Sequence, residues 1–224
     1  MTRPRSIIFD LDNTLFDRQA AIDRYLREWL GRHDLELEPE LLERAQQVDN
    51  LGYAARRVFN QWWAGEVGVR GVTITMDEFW EDFRANLASL IDRDDRLIGW
   101  LTELARAHDV AIMTNGSGVN QRAKMTSLGI ASILEDARVI VSGEVDSWKP
   151  DREIFELGLA RLGSDPGDTL FVGDDPINDI CGAAAVGIRT CWIARGREFP
   201  DNTPRGVRPD HIIEEVFELE QLWR

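Results

Sequence analysis

Ser6-Ile7-Ile8-Phe9-Asp10-Leu11-Asp12-Asn13-Thr14-Leu15 is the stretch that decides the fold. A short apolar run that stops at two acids reads as a buried strand with Asp10 at its carboxyl end. Two carboxylates in that position are costly unless something satisfies them. As a bare pattern, Asp-x-Asp-x-Thr arises by chance in about 3% of chains of this length. Its place directly after an apolar strand separates it from the plainer reading, turn formation or helix capping by Asp12, Asn13 and Thr14.

Further strands follow the same logic. Asp109–Thr114 is apolar and closed by Asn115-Gly116-Ser117-Gly118; 138–142 ends at Gly143; 169–172 ends at Gly173-Asp174-Asp175; Arg189–Ile193 is a fifth and His211–Ile213 a short sixth. Helical patterns lie between them at 96–107, 120–128, Arg152–Leu162 with Asp151 as its N-cap, and 177–185. Strand alternating with helix predicts an α/β fold: a Rossmann-like, doubly wound parallel sheet with helices on both faces. The segment from Phe16 to Asp94 breaks the alternation. It reads as helices at 18–30, 39–62 and 76–90, with Pro39 suited to a first helical turn and 72–74 the one strand candidate. The expected organisation is therefore an α/β core of 1–15 and 95–224 with a smaller α-helical domain inserted at 16–94.

Bulk properties narrow the function. The chain has 224 residues, enough for a sizeable core, and a formal net charge of −14. No basic run has the density of a nucleic-acid face, and no apolar run approaches the ~20 residues that span a bilayer. The basic N-terminus leads into Asp10 and Asp12, not into the apolar core of a secretory signal, so cytoplasmic is the expected location. Cys181 and Cys191 have no metal-ligand spacing and are expected to be buried free thiols. Only two lysines occur, Lys124 and Lys149, against 24 arginines. A lysine that persists in such a chain suggests a need for its compact ammonium.

Ligands in an open parallel sheet bind outside the carboxyl ends of the strands. Here those ends carry Asp10 and Asp12, then Thr114 and Asn115, then Lys149, then Asp174, Asp175 and Asp179. They supply carboxylates for a divalent cation, hydroxyl and amide donors for an oxyanion, and one ammonium. Each group alone could be a turn, a surface loop or a helix cap; all four in this order are unlike coincidence.

With these motifs, the chain resembles the haloacid dehalogenase superfamily of phosphotransferases. Phe9-Asp10-Leu11-Asp12-Asn13-Thr14-Leu15 is the first motif, Met113-Thr114-Asn115-Gly116 the second and Lys149-Pro150 the third. The fourth is Gly173-Asp174-Asp175-Pro176-Ile177-Asn178-Asp179, followed by Gly182-Ala183 and Gly187. The resemblance covers essentially the whole chain and implies a Mg²⁺-dependent phosphomonoester hydrolase. On this reading Asp10 attacks phosphorus and forms an aspartyl-phosphate, and Asp12 protonates the leaving oxygen and then activates water. Asp10, Asp174 and the Asp12 carbonyl hold Mg²⁺. Thr114 and the N–H groups of Asn115 and Gly116 bind phosphoryl oxygens, and Lys149 bridges phosphate and Asp10. Asp179 stands behind the metal site; Asp175 is its neighbour or a helix cap.

Members of the superfamily that cleave carbon–halogen bonds lack an acid at the position of Asp12. Those that cleave phosphonates need a cap lysine, and 16–94 contains none. A phosphomutase remains an alternative, as does a non-catalytic interaction module, although neither Asp10, Asp12, Lys149 nor Asp174 is lost. A signalling receiver also sets acids, Thr and Lys on a parallel sheet, but with its phosphorylated Asp at a later strand. The expected partner is a small phosphorylated substrate of nucleotide or sugar-phosphate type, with no nucleic acid and no membrane, on a monomer or homodimer. Within the insert, Arg56-Arg57 are expected on a solvated helix face and Trp62-Trp63 in packing.

Overall fold

The computed structural model describes residues 2–223. β1 (Ser6–Phe9) is followed by four helices, α1 (Arg18–Gly31), α2 (Pro39–Asp49), α3 (Arg56–Gly68) and α4 (Met76–Asn86). Then come α5 (Asp95–Ala107), β2 (Asp109–Thr114), α6 (Gly118–Leu128), β3 (Val139–Val141), the single turn α7 (Ser142–Val145) and α8 (Arg152–Leu162). β4 (Thr169–Gly173), α9 (Gly182–Ala185), β5 (Arg189–Ile193) and β6 (His211–Ile213) complete the order.

All six strands run parallel in one sheet of order β3-β2-β1-β4-β5-β6. The strand order reverses between β1 and β4, where the connections diverge and leave a crevice at the carboxyl ends. Alternation sorts the side chains. Ile8, Ala111, Met113, Ile140 and Phe171 join Ile154, Phe155 and Leu162 of α8 in one cluster. Phe9 points to the opposite face and meets Trp100 of α5 edge-on at 5.8 Å. Helices therefore cover both faces, which is why β1 is fully buried and apolar from Ile7 to Phe9.

The chain forms two compact units. One ends at Phe16 and resumes at Arg93; the other spans Asp17–Asp92. The second unit is helical. Its core is aromatic: Trp63, fully buried, packs against Trp29 at 5.8 Å and Phe79 at 5.7 Å, and Tyr25 lies edge-on to Phe83 at 4.9 Å. Trp62 tilts against Phe59, so both neighbouring tryptophans serve packing. The Arg56 guanidinium lies 4.0 Å above the Trp80 ring. Within the unit, Arg18 of α1 and Asp49 of α2 form a buried two-point ion pair, with N–O distances of 2.6 and 3.0 Å.

Several local expectations are corrected. The helix expected over 39–62 is two helices, because Asn50, Leu51 and Gly52 take φ of 47°, 59° and 88° in succession. Three residues in the left-handed region end a right-handed helix. The stretch 72–74 is not a strand. Residues 177–185 divide into a wide π-type turn, Pro176–Cys181, and α9. Asp151 takes the N-cap position of α8 as expected, but its side chain makes no cap bond. Capping elsewhere is explicit: Thr75 and Glu78 form a reciprocal box at α4, and Asp94 accepts from Leu97 N at 2.9 Å. Cys181 and Cys191 are buried and unbonded to each other, and burial pushes the Cys191 thiol up to about 12. No helix among the described residues is long and apolar enough to cross a membrane.

His108, at the end of α5, gives a pH test of the core. Its Nδ1 lies 2.7 Å from the Pro4 carbonyl, where only a donor fits, and its Nε2 accepts from Arg3 Nε at 3.3 Å. The ring is therefore neutral, and burial holds its pKa below the ordinary value despite the Pro4 contact. A base depressed in the fold contributes stability above ~6.5, its unfolded pKa, and loses it as pH falls through the folded value. Urea unfolding of wild type and His108→Asn between pH 7 and pH 5 is expected to show the wild-type advantage shrinking on acidification. A pH-independent difference would contradict this.

Candidate active site

The site is built where the strand order reverses. The N–H of Asp10 donates to Val172 O at 2.9 Å, continuing the β1–β4 pairing past the end of β1. This fixes the Asp10 backbone beside the end of β4, where Asp174 follows. Asp10 and Asp174 are 6% and 2% exposed, and Asp179 is 1% exposed. A carboxylate oxygen from each of the three lies within 4.8 Å of those of the other two.

Lys149 enters between them. Its Nζ donates to Asp10 Oδ1 and to Asp179 Oδ1, both at 2.6 Å. The loop that carries it is held by the Asn115 amide: Asn115 Nδ2 donates to Lys149 O and Lys149 N donates to Asn115 Oδ1, both at 2.9 Å. The second Asp179 oxygen accepts the Asp175 N–H at 3.0 Å. Gly173 makes room for this, since a Cβ there would overlap the Asp179 carboxylate.

The charge balance is uneven. Burial raises the Asp10 pKa, with the Asp12 charge adding to it and Lys149 opposing it. Burial raises Asp179 well above the usual carboxylate range, again against the pull of Lys149. Burial would lower Lys149, but Asp10 and Asp179 outweigh it and hold the ammonium charged. Lys149, together with Arg197 at 3.3 Å from Asp174, faces three buried acids, so the cluster still favours further positive charge. An all-oxygen carboxylate set of this kind suits a hard divalent cation such as Mg²⁺.

Asp12 lives in different surroundings. Its side chain is 21% exposed. Lys124 Nζ donates to both its oxygens, at 2.6 and 2.9 Å. Gln121 Nε2 donates to Asp12 Oδ2 at 2.7 Å and to Thr114 Oγ1 at 2.5 Å. Thr114 itself is buried at the end of β2.

The remaining expected residues separate. Asp175 is a helix cap: its Oδ1 accepts Ile177 N at 2.8 Å and Asn178 N at 2.9 Å. The Gly116 N–H donates to Ser142 Oγ at 2.9 Å, while Gly116 O accepts Gly143 N at 3.0 Å. That donor is hydrogen-bonded within the protein. Gly116 shapes the loop, with φ of 147° and a Cβ position 3.1 Å from the Gln121 side chain. Sequence reading missed Gln121, Ser142, Trp192 and Arg197. Trp192 Nε1 donates to Asp174 O at 2.7 Å, and Arg197 reaches Asp174 Oδ2 at 3.3 Å. Lys124 was visible by its rarity but had no assigned role.

Known proteins resemble this chain along most of its length. A sequence match to the ribulose-1,5-bisphosphate 5-phosphatase of Halopiger xanaduensis is 32% identical and covers 97% of this chain and 98% of that one. The human N-acylneuraminate-9-phosphatase is 27% identical over 99% of this chain and 94% of its own. With the phosphoserine phosphatase of Thermus thermophilus the identity is 37%, but the match spans 50% of this chain and 45% of the relative, about half its length. Among solved structures, the magnesium-bound putative HAD-hydrolase YfnB from Bacillus subtilis superposes with a TM-score of 0.80 at 23% identity, covering 99% of both chains. The L-2-haloacid dehalogenase of Xanthobacter autotrophicus shares the fold, with a TM-score of 0.69 at 21% identity over 99% of this chain and 98% of that one. The model of the haloacid dehalogenase-like hydrolases matches residues 7–193, from the strand that bears Asp10 to the end of β5, and the chain belongs to that family.

Proposed function

We propose that the chain is a Mg²⁺-dependent phosphomonoesterase that works through a phosphorylated Asp10. The observation that carries this reading is a pair of carboxylates two residues apart in contrasting surroundings. Asp10 is buried among Lys149, Asp174 and Asp179, whereas Asp12 is partly open and held by Lys124 and Gln121. Groups whose environments differ this much can divide nucleophile and acid–base work.

Asp10 and Asp174 would hold the cation, with the Asp12 carbonyl, and Asp179 would stand behind them, both its oxygens being engaged by Lys149 and Asp175 N–H. When bound, Mg²⁺ supplies positive charge that offsets repulsion between a phosphate and the carboxylate that attacks it. Lys149 orients the Asp10 carboxylate and adds its own charge beside the phosphoryl group. Asp10 Oδ attacks phosphorus in line, the bond to the ester oxygen breaks, and Asp12 donates a proton to that oxygen. Asp12 then takes a proton from the water that attacks phosphorus, which releases phosphate and restores Asp10. Thr114 presents its hydroxyl to the phosphoryl oxygens.

Relatives with nearly full coverage are phosphatases of a sugar bisphosphate and of an N-acylneuraminate 9-phosphate. A small sugar phosphate is accordingly the substrate class we assign. The test is release of p-nitrophenol from p-nitrophenyl phosphate with Mg²⁺, with excess EDTA, and with Asp10→Asn in Mg²⁺. Turnover is expected only in the first; equal rates in all three overturn the proposal.

A further inference from the structure

The chain has two lysines, and the proposed reaction uses one. We propose that the other, Lys124, together with Gln121, is a positioning pair that holds the Asp12 carboxylate for proton transfer to the leaving group. The inference rests on the assignment of Asp12 as acid–base and deepens it.

Lys124 and Gln121 lie three residues apart on α6, so they project from the same side of the helix. Both are almost fully buried, at 6% and 2% exposure. A lysine is seldom buried without a charge partner, and its partner here is Asp12, contacted through both carboxylate oxygens at 2.6 and 2.9 Å. Gln121 places one Nε2 between Asp12 Oδ2 and Thr114 Oγ1. The amide thus ties the acid–base carboxylate to the hydroxyl assigned to the phosphoryl group. Asp12 lies beyond the end of β1 and before Asn13, whose φ is 57°, and α6 supplies donors to both of its carboxylate oxygens.

A second arginine would not serve equally. Arg122, on the same helix, turns outward to Glu144 and Asp136. The inward position takes a single-point cation, consistent with the retention of lysine in a chain with 24 arginines.

Leaving-group dependence gives the test. Phenyl phosphate and p-nitrophenyl phosphate have almost the same shape, but phenol, like tyrosine, titrates near 10 and leaves poorly without a proton. Nitrophenolate departs without one. The value of kcat/KM reports steps up to phosphorylation of Asp10, where Asp12 donates. Lys124→Met is expected to lower kcat/KM for phenyl phosphate at least ~30-fold, within the ~10²–10⁴ range of general acid catalysis, with p-nitrophenyl phosphate changing less than ~3-fold. Lys124→Gln, which keeps a shorter polar donor on the same stem, is expected to show the same selectivity to a smaller degree and covers the case in which Lys124→Met does not fold. Wild-type activity on both esters that is lost in Asp10→Asn reports on the phosphatase reading separately. Equal losses on the two esters, or none on either, overturn the positioning role.

Discussion

Replacing Lys149 with methionine is expected to lower kcat/KM for p-nitrophenyl phosphate by about 10²–10³-fold, the scale of losing one preorganised charge in a buried site. Methionine keeps the length and packing of the stem and removes only the ammonium. That group touches Asp10 and Asp179 at 2.6 Å each, and its side chain is 3% exposed, so no water stands ready to replace it. Without it, burial and the mutual repulsion of the acids drive Asp10 toward its protonated form, which is not nucleophilic. Lys149→Arg is expected to be nearly as damaging. A planar guanidinium spreads its donors in a fork and cannot bring one nitrogen to two carboxylates from a pocket this closed. Steady-state kinetics with saturating Mg²⁺, on variants checked for folding by circular dichroism, decides the matter. A methionine variant within threefold of wild type would contradict the role given to Lys149.

The second large effect concerns stability. Asp49→Ala is expected to destabilise the protein by ~3–5 kcal/mol, because it strips the two-point partner from a buried guanidinium. The space for that guanidinium is specific: a Cβ at Gly52 would lie 2.8 Å from Arg18 Cζ. The pair ties α1 to the turn where α2 ends, so its loss should loosen the helical unit's entry. The double variant Arg18→Met/Asp49→Leu removes both charges and is expected to recover most of the loss, since apolar replacement of a buried pair is often neutral. Urea unfolding of wild type, Arg18→Met, Asp49→Leu and the double variant forms the cycle. A cost below ~1 kcal/mol for Asp49→Ala would show that the pair is not the strut described.

Much of the core was legible in the sequence because a parallel sheet covered on both faces writes unbroken apolar strands, and polar residues at their ends stand out. Asp10, Thr114, Lys149 and Asp174 could be found this way, and the strand order then brings Asp10 and Asp174 together. Gln121 and Lys124 could not be placed, because their meaning depends on the rotation of α6 about its axis. Trp192 meets Asp174 from β5, through the pairing of β5 with β4, and Arg197 through the path of the loop after β5, which no periodicity encodes. The split of 39–62 had a partial cue in Asn50 and Gly52, but Leu51 at φ 59° lies outside what residue preference suggests. The contact of the Gly116 N–H with the hydroxyl of Ser142, 26 residues on, was not legible, because it depends on how β3 ends beside the loop after β2.

Both ε-amino groups of the chain are folded into carboxylate pairs, with side-chain exposures of 8% for Lys124 and 3% for Lys149. For amine-directed reagents the surface is therefore blank apart from the chain terminus, despite 26 basic residues. Acylation of either side chain requires the pocket to open, so the rate of labelling becomes a clock for local unfolding at the strand ends, recorded without added probes.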